Sequence, residues 1–118
     1  MNIEELREYC LSKKAVEESF PFNETTLVFK VMGKMFLLVD IEEKPVEFNV
    51  KCEPELATQL REKYSCVKAG FHMNKKYWNT VTCDDSVPAK LLWSWIDHSY
   101  DEVVKGLSKK QRQELENL

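Results

Sequence analysis

The spacing of apolar residues changes along the chain from a helical period to a strand period and back. Residues 3–14 place apolar side chains three and four positions apart, and Asn2 with Glu5 matches a capping box. They predict a first helix, which we expect to continue to Ser19. Pro21 ends it, because proline disfavours helical geometry at the residue before it.

Five segments have the composition or the alternation of β-strands. They are residues 25–32, 35–41, 46–52, 67–71 and 77–83. Gly33 and Lys34 form a turn between the first two, which predicts a β-hairpin. The third alternates apolar Val46, Phe48 and Val50 with polar residues, and it extends the hairpin into an antiparallel meander.

Two longer helical patterns follow the meander and the last strand. The first begins at Pro54, which suits the first position of a helix, and reaches Ser65. The second covers residues 88–107 and repeats apolar side chains over about five turns. Residues 108–118 form a charged tail that is either a short helix, capped by Ser108, or frayed.

The predicted order, α-β-β-β-α-β-β-α, has its strands in hairpins. We therefore expect an α+β fold, with helices packed on one face of an antiparallel sheet. The other face is then open to solvent. It displays Lys30, Glu47, Asn49 and Lys51, with either Trp78, Thr80 and Thr82 or the residues that alternate with them.

The amino-acid composition indicates which class of protein the chain belongs to. The 118 residues are 43% apolar and 31% charged, with three glycines, which predicts one globular domain over residues 1–118. The start is acidic and no apolar run approaches the roughly 18 residues of a membrane span. We expect a cytoplasmic protein without membrane contact. Because the net charge is −3, nucleic-acid binding requires the lysines to gather on one face.

The cysteines do not match a metal or disulfide framework. Cys10, Cys52, Cys66 and Cys83 lie far apart and form no C-x-x-C pair. They predict free thiols in a reducing compartment. The consecutive carboxylates match solvated helix starts and turns. We therefore expect no metal and no cofactor.

Catalytic signals are weak. Asp97, His98 and Ser99 are the residue types of a hydrolytic triad, but they are consecutive within a predicted helix. Neighbouring helical side chains point about 100° apart and cannot relay a proton in series, so we expect a polar helix face here. Three isolated glycines also exclude the common phosphate loops. We do not expect an enzyme.

The most informative segment is residues 71–79, which holds two lysines, one histidine and three aromatic residues. Lysines can neutralise phosphates, an exposed aromatic ring can stack on a base, and asparagine can contact an adenine edge. A structural interpretation explains the same residues: a hairpin loop with lysines at its tip, flanked by aromatics of which alternate members enter the core. Lys30, Lys34 and Lys51 can join this cluster through the sheet.

Several uncommon combinations occur together in one order. They are Phe20-Pro21-Phe22, residues 29–36 (FKVMGKMF), residues 49–56 (NVKCEPEL), residues 72–78 (HMNKKYW) and residues 97–100 (DHSY). With these motifs the chain resembles the MmcQ/YjbR family up to about Leu107. The resemblance implies a compact α+β domain similar to the bacterial frataxin-like (CyaY-like) fold.

For function, the resemblance implies DNA binding, as predicted for the family. The matching positions are Lys30, Lys34, Lys51, His72, Asn74, Lys75, Lys76 and Trp78. Two positions depart from the family pattern. Glu53 replaces the usual Asp before proline, from which we expect a weaker helix cap, and Tyr77 replaces a common His.

Two hypotheses of different classes follow. The first is a non-enzymatic binding domain that contacts DNA mainly through phosphates. The alternative is a protein-interaction domain that binds an acidic partner protein around Asn49, Lys51 and Trp78 on the open face. Iron binding by frataxin-like carboxylates is disfavoured, because the first helix lacks a dense acidic ridge. The oligomeric state is left open.

Overall fold

A computed structural model describes residues 1–71 and 73–118, which form a six-stranded sheet and four helices. In chain order these are α1 (Ile3–Leu11), β1 (Val16–Ser19), β2 (Thr26–Val31), β3 (Lys34–Asp40), β4 (Glu47–Lys51), α2 (Pro54–Lys63), β5 (Val67–Ala69), β6 (Trp78–Thr82), α3 (Ala89–Lys105) and α4 (Lys109–Glu116). The spatial order of the strands is β1-β2-β3-β4-β6-β5, and all neighbours are antiparallel. The α+β class is confirmed.

The helices cover one face of this sheet. Their apolar side chains join those of the strands in a single buried cluster, whose largest members include Phe29, Phe36, Phe48, Leu6 and Ile96. Leu115 of α4 is buried in the same cluster, so the charged tail is a docked helix. Ser108 and Gln111 form the predicted capping box at its start.

The predicted extension of the first helix to Ser19 is wrong. The helix ends at Leu11, Ala15 has a left-handed φ of 61°, and Val16–Ser19 form the edge strand β1. Strand β1 pairs along β2, with Glu17 opposite Lys30. The observed order is therefore α-β-β-β-β-α-β-β-α-α. This strand was missed because its conformation depends on pairing with β2, and four residues carry too little local preference.

The β2–β3 hairpin is confirmed, but its turn lies one residue earlier than predicted. Met32 and Gly33 both have positive φ, 50° and 81°, as a two-residue type I′ turn requires. Lys34 is already the first residue of β3. The shift is explained by the β-twist, which favours a turn with two left-handed residues, Met32 and Gly33, over the predicted turn of Gly33 and Lys34.

Of the two alternatives, the set that begins with Trp78 lies on the open face, but Thr80, Leu38 and Val28 are buried there, so this face is only partly open to solvent. Residues opposite each other on neighbouring strands share a face, and the pairs are Lys51 with Trp78, Asn49 with Thr80, and Glu47 with Thr82. Strand β5 ends at Ala69, two residues before the prediction, because the chain then folds over this face. There the backbone N–H of Phe71 donates to Thr80 Oγ1 at 2.9 Å.

Helix α3 is anchored by residues that were expected to form a polar helix face. Ser99 is fully buried, and its hydroxyl donates to the carbonyl of Phe36 at 2.5 Å and accepts from the N–H of Lys51 at 2.8 Å. His98 Nε2 accepts from the N–H of Glu53 at 3.1 Å. Both side chains therefore fix α3 to the sheet and to the start of α2, and the predicted polar face is wrong at Ser99.

Asp97 and Tyr100 connect α3 to the end of α1. Asp97 Oδ1 accepts from the Tyr9 hydroxyl at 2.6 Å and pairs with the ammonium of Lys13. Tyr100 donates its hydroxyl to the carbonyl of Lys14 at 2.6 Å. Burial and the hydrogen bond to Asp97 raise the pKa of Tyr9 to about 12. All four residues of the Asp97–Tyr100 motif thus hold separate elements together.

Helix α2 is capped by Glu53, although a glutamate was expected to cap weakly. Its carboxylate accepts from the N–H groups of Glu55 and Leu56 at 3.1 and 3.0 Å. These backbone hydrogen bonds lower the pKa of Glu53. The longer side chain therefore reaches the same N–H groups that an aspartate would satisfy.

We expect Glu53→Gln to be less stable than the wild type at pH 7 and equally stable at low pH. A lowered pKa in the folded state stabilises the fold above the unfolded-state value of about 4.3, and this contribution is lost as the pH falls through the folded value. Urea unfolding at pH 7, 5 and 3 measures it. Glu62→Gln, at an exposed position of α2, is the control. A stability difference that is constant over this range contradicts the prediction.

Candidate nucleic-acid interface

Five lysines of the predicted site lie at one end of the sheet, which we call the basic end: Lys30, Lys34, Lys51, Lys75 and Lys76. The first three stand at the end of β2, the start of β3 and the end of β4. Because these strands are antiparallel, those positions meet. Lys75 and Lys76 belong to the loop that leads into β6 at the same end.

The aromatic members of the cluster accompany these lysines. Trp78 is half-buried on the open face, directly opposite Lys51. Tyr77 is exposed, and the Lys76 ammonium lies 5.5 Å from the centre of its ring. His72 lies outside the described residues. Apart from His72, the structure therefore places every predicted site residue at or beside one end of the sheet.

The loop before β6 is held by Arg61 of α2, which sequence reasoning missed. Its guanidinium donates to Asn79 Oδ1 at 2.7 Å, to the carbonyl of Trp78 at 3.2 Å, and to the carbonyl of Lys75. Asn79 is buried and also donates to the carbonyl of Ala57 at 3.4 Å. One helical arginine thus fixes the backbone on both sides of Lys76. No local pattern marks it, because its partners lie 14 to 18 residues away.

Two further details shape this loop. Gly70 donates its N–H to the carbonyl of Trp78 at 2.8 Å, and a Cβ on Gly70 would lie 2.8 Å from the Trp78 Cβ. Asn74 Oδ1 accepts from the N–H of Lys76 at 3.0 Å. Reading adenine through two hydrogen bonds needs both the oxygen and the nitrogen of the amide. The oxygen of Asn74 is already engaged in a turn, which favours a structural role for this residue.

No carboxylate of the described residues lies within 4 Å of a lysine of the basic end, although Glu17 of β1 stands opposite Lys30. Within residues 1–71 and 73–118, the ion pairs closer than 4 Å are Arg7 with Glu18, Lys13 with Asp97, and Lys105 with Glu102. None of them involves the basic end. Glu102, Lys51 and Trp78 line one shallow hollow of the surface, but the Glu102 carboxylate is 3.6 Å from the Lys105 ammonium.

Other chemistry is sparse in the part of the chain that the structure describes. No group of three His, Cys, Asp or Glu side chains is placed to hold a metal ion. The four cysteines are free thiols, and burial raises the pKa of Cys10 to about 12 and that of Cys52 and Cys83 to about 11. None of the described helices is long and apolar enough to cross a membrane.

Comparison with solved structures shows the same architecture in two other bacterial proteins. The structure of protein DR2400 from Deinococcus radiodurans superposes with a TM-score of 0.90 at 40% identity, covering 97% of this chain and 87% of that one. A protein from Pseudomonas syringae superposes with a TM-score of 0.74 at 25% identity, covering 86% and 98%.

Sequence comparison leads to one family. The protein YjbR of Escherichia coli K12 is 34% identical over 119 residues and is matched over the full length of both chains. YbdF of Escherichia coli O157:H7 is 34% identical over 113 residues, which cover 95% of this chain and 92% of YbdF. Both relatives are named as uncharacterised proteins. The YjbR family model matches residues 11–102, and the chain belongs to the YjbR family.

Proposed function

We propose that this protein is a non-enzymatic nucleic-acid-binding domain that contacts phosphates through the basic end. One observation carries the proposal: three separate parts of the chain bring five lysines to the same end of the sheet, and no carboxylate of the described residues lies within 4 Å of any of them. The net charge is −3, so this gathering is a local feature and not the consequence of a basic composition. A clustered positive surface is the requirement for phosphate-driven binding.

The dimensions of the basic end suit a nucleic-acid backbone. Lys30 and Lys51 are on the open face, two strands apart, which is about 10 Å at the usual strand spacing. This distance corresponds to about three nucleotides of one strand, measured along the axis of a duplex. Lys75 and Lys76 extend the positive surface along the loop that leads into β6.

The aromatic residues favour unpaired bases as an additional contact. Tyr77 is exposed beside Lys76, and Trp78 is half-buried beside Lys51. An aromatic ring next to a phosphate-binding lysine can stack on a base of a single strand. We therefore expect single-stranded DNA or RNA to bind at least as tightly as a duplex of the same length.

An acidic protein partner is the second candidate, because the same lysines would attract its carboxylates. It is favoured by the position of Lys51 and Trp78, which lie opposite each other on the open face beside Asn49. A pulldown separates the two candidates. The protein is used as bait, and its captured partners are compared with and without nuclease treatment. Partner proteins that remain bound after nuclease treatment support the acidic protein partner, and partners that are lost support nucleic acid.

Fluorescence anisotropy of labelled single-stranded and duplex DNA and RNA tests the proposal directly. If all five lysines contact phosphates, the affinity for a duplex should fall about 500-fold between roughly 50 and 200 mM salt. If only two of them do, the affinity should fall about tenfold over the same range. Lys75→Ala with Lys76→Ala should weaken binding at least threefold and make the salt dependence shallower.

The matched control is Lys44→Ala with Lys90→Ala. These two lysines are also exposed, but they lie in the β3–β4 connection and at the start of α3, at the opposite end of the sheet. The control should bind like the wild type. The proposal is wrong if no probe binds at about 50 mM salt, or if both double variants lose the same affinity.

A further inference from the structure

A cleft of about 420 Å³ runs along the open face, from Met35, which pairs with Lys30, to Asp40 and Glu47 at the other end of the sheet. Phe22, from the β1–β2 connection, and Phe71 with Met73, from the β5–β6 loop, line it above the sheet. Phe22 is 63% exposed and Phe71 is 66% exposed. The volume falls within the range of small-molecule sites, which are concave and mostly apolar with a few polar groups.

The floor of this cleft is held in place by the sheet. Leu38 is 7% exposed although it lies on the face away from the helices, where its neighbours across the strands are Val28 and Asn49. Asn49 Oδ1 accepts from the Thr80 hydroxyl at 2.5 Å, and Thr80 in turn accepts from the N–H of Phe71. This chain of hydrogen bonds ties the Phe71 loop to β4 and β6, so the cleft is formed before any ligand binds.

Of the residues that the structure describes, the charged ones that line the cleft are acidic: Asp40, Glu43 and Glu47. Asp40 follows Val39, and Glu47 precedes Phe48, its partner on β4, so the two carboxylates stand across from each other on the open face. Asp40 accepts from the N–H of Glu42, and Glu47 accepts from the Thr82 hydroxyl at 3.0 Å. Among the described residues, no Lys, Arg or His nitrogen lies within 4 Å of these three carboxylates.

Like charges directly opposite on neighbouring strands destabilise a sheet, and a bound cation relieves that repulsion. The apolar lining selects among cations. Met35, Leu38 and Met73 offer surface to methylene groups, and the exposed phenylalanine rings attract ammonium groups through their faces. A bare metal ion would use none of this surface.

We propose that the cleft binds a linear aliphatic polyamine, with its ammonium groups at Asp40, Glu43 and Glu47 and its methylene groups against the apolar lining. The site uses none of the lysines of the basic end. Its carboxylates are different residues from those lysines, so the inference goes beyond the proposed nucleic-acid binding.

Titration with spermidine, followed by two-dimensional ¹H–¹⁵N NMR at about 50 mM salt, tests this inference. The amide signals of Asn49, Phe71 and Thr80 should shift and saturate. Asp40→Asn with Glu47→Gln should weaken spermidine binding at least tenfold, and Phe22→Ala at least threefold. The first variant removes a repulsion, so the fold should tolerate it.

Two controls separate the site from general charge attraction. Glu62→Gln with Glu114→Gln removes the same charge from exposed positions on α2 and α4, and it should bind spermidine like the wild type. Magnesium chloride at equal ionic strength and 1,4-butanediol, a neutral linear molecule, should not reproduce the shifts.

The inference is overturned if spermidine causes no saturable shifts, if magnesium causes the same ones, or if both double carboxylate variants lose the same affinity. The anisotropy experiment reports on the basic end through different residues. Failure of polyamine binding with intact salt-dependent DNA binding would therefore reject this inference alone, and the converse result would reject only the proposed function.

Discussion

Replacing Ser99 with alanine should lower the free energy of unfolding by roughly 2 to 4 kcal/mol, because two backbone groups lose their partner at once. The hydroxyl connects the carbonyl of Phe36 on β3 to the N–H of Lys51 on β4, and Ser99 is fully buried. Alanine fits the space without strain, yet it leaves a donor and an acceptor unsatisfied inside the fold. Urea unfolding of the two proteins measures the difference.

The matched control for Ser99 is Ser94→Ala on the same helix. Ser94 is exposed, and its hydroxyl donates only to the carbonyl of Leu91, one turn earlier. This substitution should change stability by less than about 0.5 kcal/mol. If Ser99→Ala is as mild as Ser94→Ala, the hydroxyl does not stabilise the junction of α3 with the sheet.

Replacing Arg61 with methionine should cost roughly 2 to 3 kcal/mol of stability and should also weaken the proposed nucleic-acid binding. The guanidinium satisfies Asn79 Oδ1 and the carbonyls of Lys75 and Trp78, and hydrogen bonds to a charged group are the stronger kind. Without it, the loop that carries Lys75 and Lys76 loses its connection to α2. Urea unfolding measures the stability, hydrogen exchange at the amides of Lys76 and Trp78 reports the loosening of the loop, and fluorescence anisotropy measures the binding.

Arg61→Lys tests whether charge alone is sufficient. A lysine keeps the positive charge but cannot present the planar set of donors that reaches three acceptors, so we expect most of the loss to remain. Arg112→Met, at an exposed position of α4, should leave stability unchanged within about 0.5 kcal/mol. Wild-type stability in Arg61→Lys contradicts the role assigned to the guanidinium.

Local periodicity was sufficient where a segment's own residues decide its structure. The alternation of Phe48 and Val50 with polar neighbours predicted β4 correctly, and the apolar repeat of residues 88–107 predicted α3. It failed at Val16–Ser19, where pairing with a strand ten residues later decides the conformation. The buried role of Ser99 was missed for the same reason, since both hydrogen-bond partners are distant in sequence.

The candidate site shows the same division. The lysines and aromatic residues of residues 71–79 could be identified from the sequence, because they are close together in the chain. The strand register explains how Lys30, Lys34 and Lys51 come to lie beside them. Arg61 and the acidic cleft were not visible. Each depends on contacts between segments that are far apart in the chain, and a single sequence gives no sign of these contacts.

The two outer strands have a consequence for how other chains can approach. An exposed edge strand offers unpaired N–H and C=O groups to a neighbouring chain and invites aggregation. Here β5 is only three residues long with an exposed lysine at its centre, and β1 is four residues long with Pro21 shortly after it. The charged lysine, the short length of both strands and the proline after β1 all disfavour the addition of a further strand. The sheet therefore resists growth into a larger one, and partners are directed to its face and its ends.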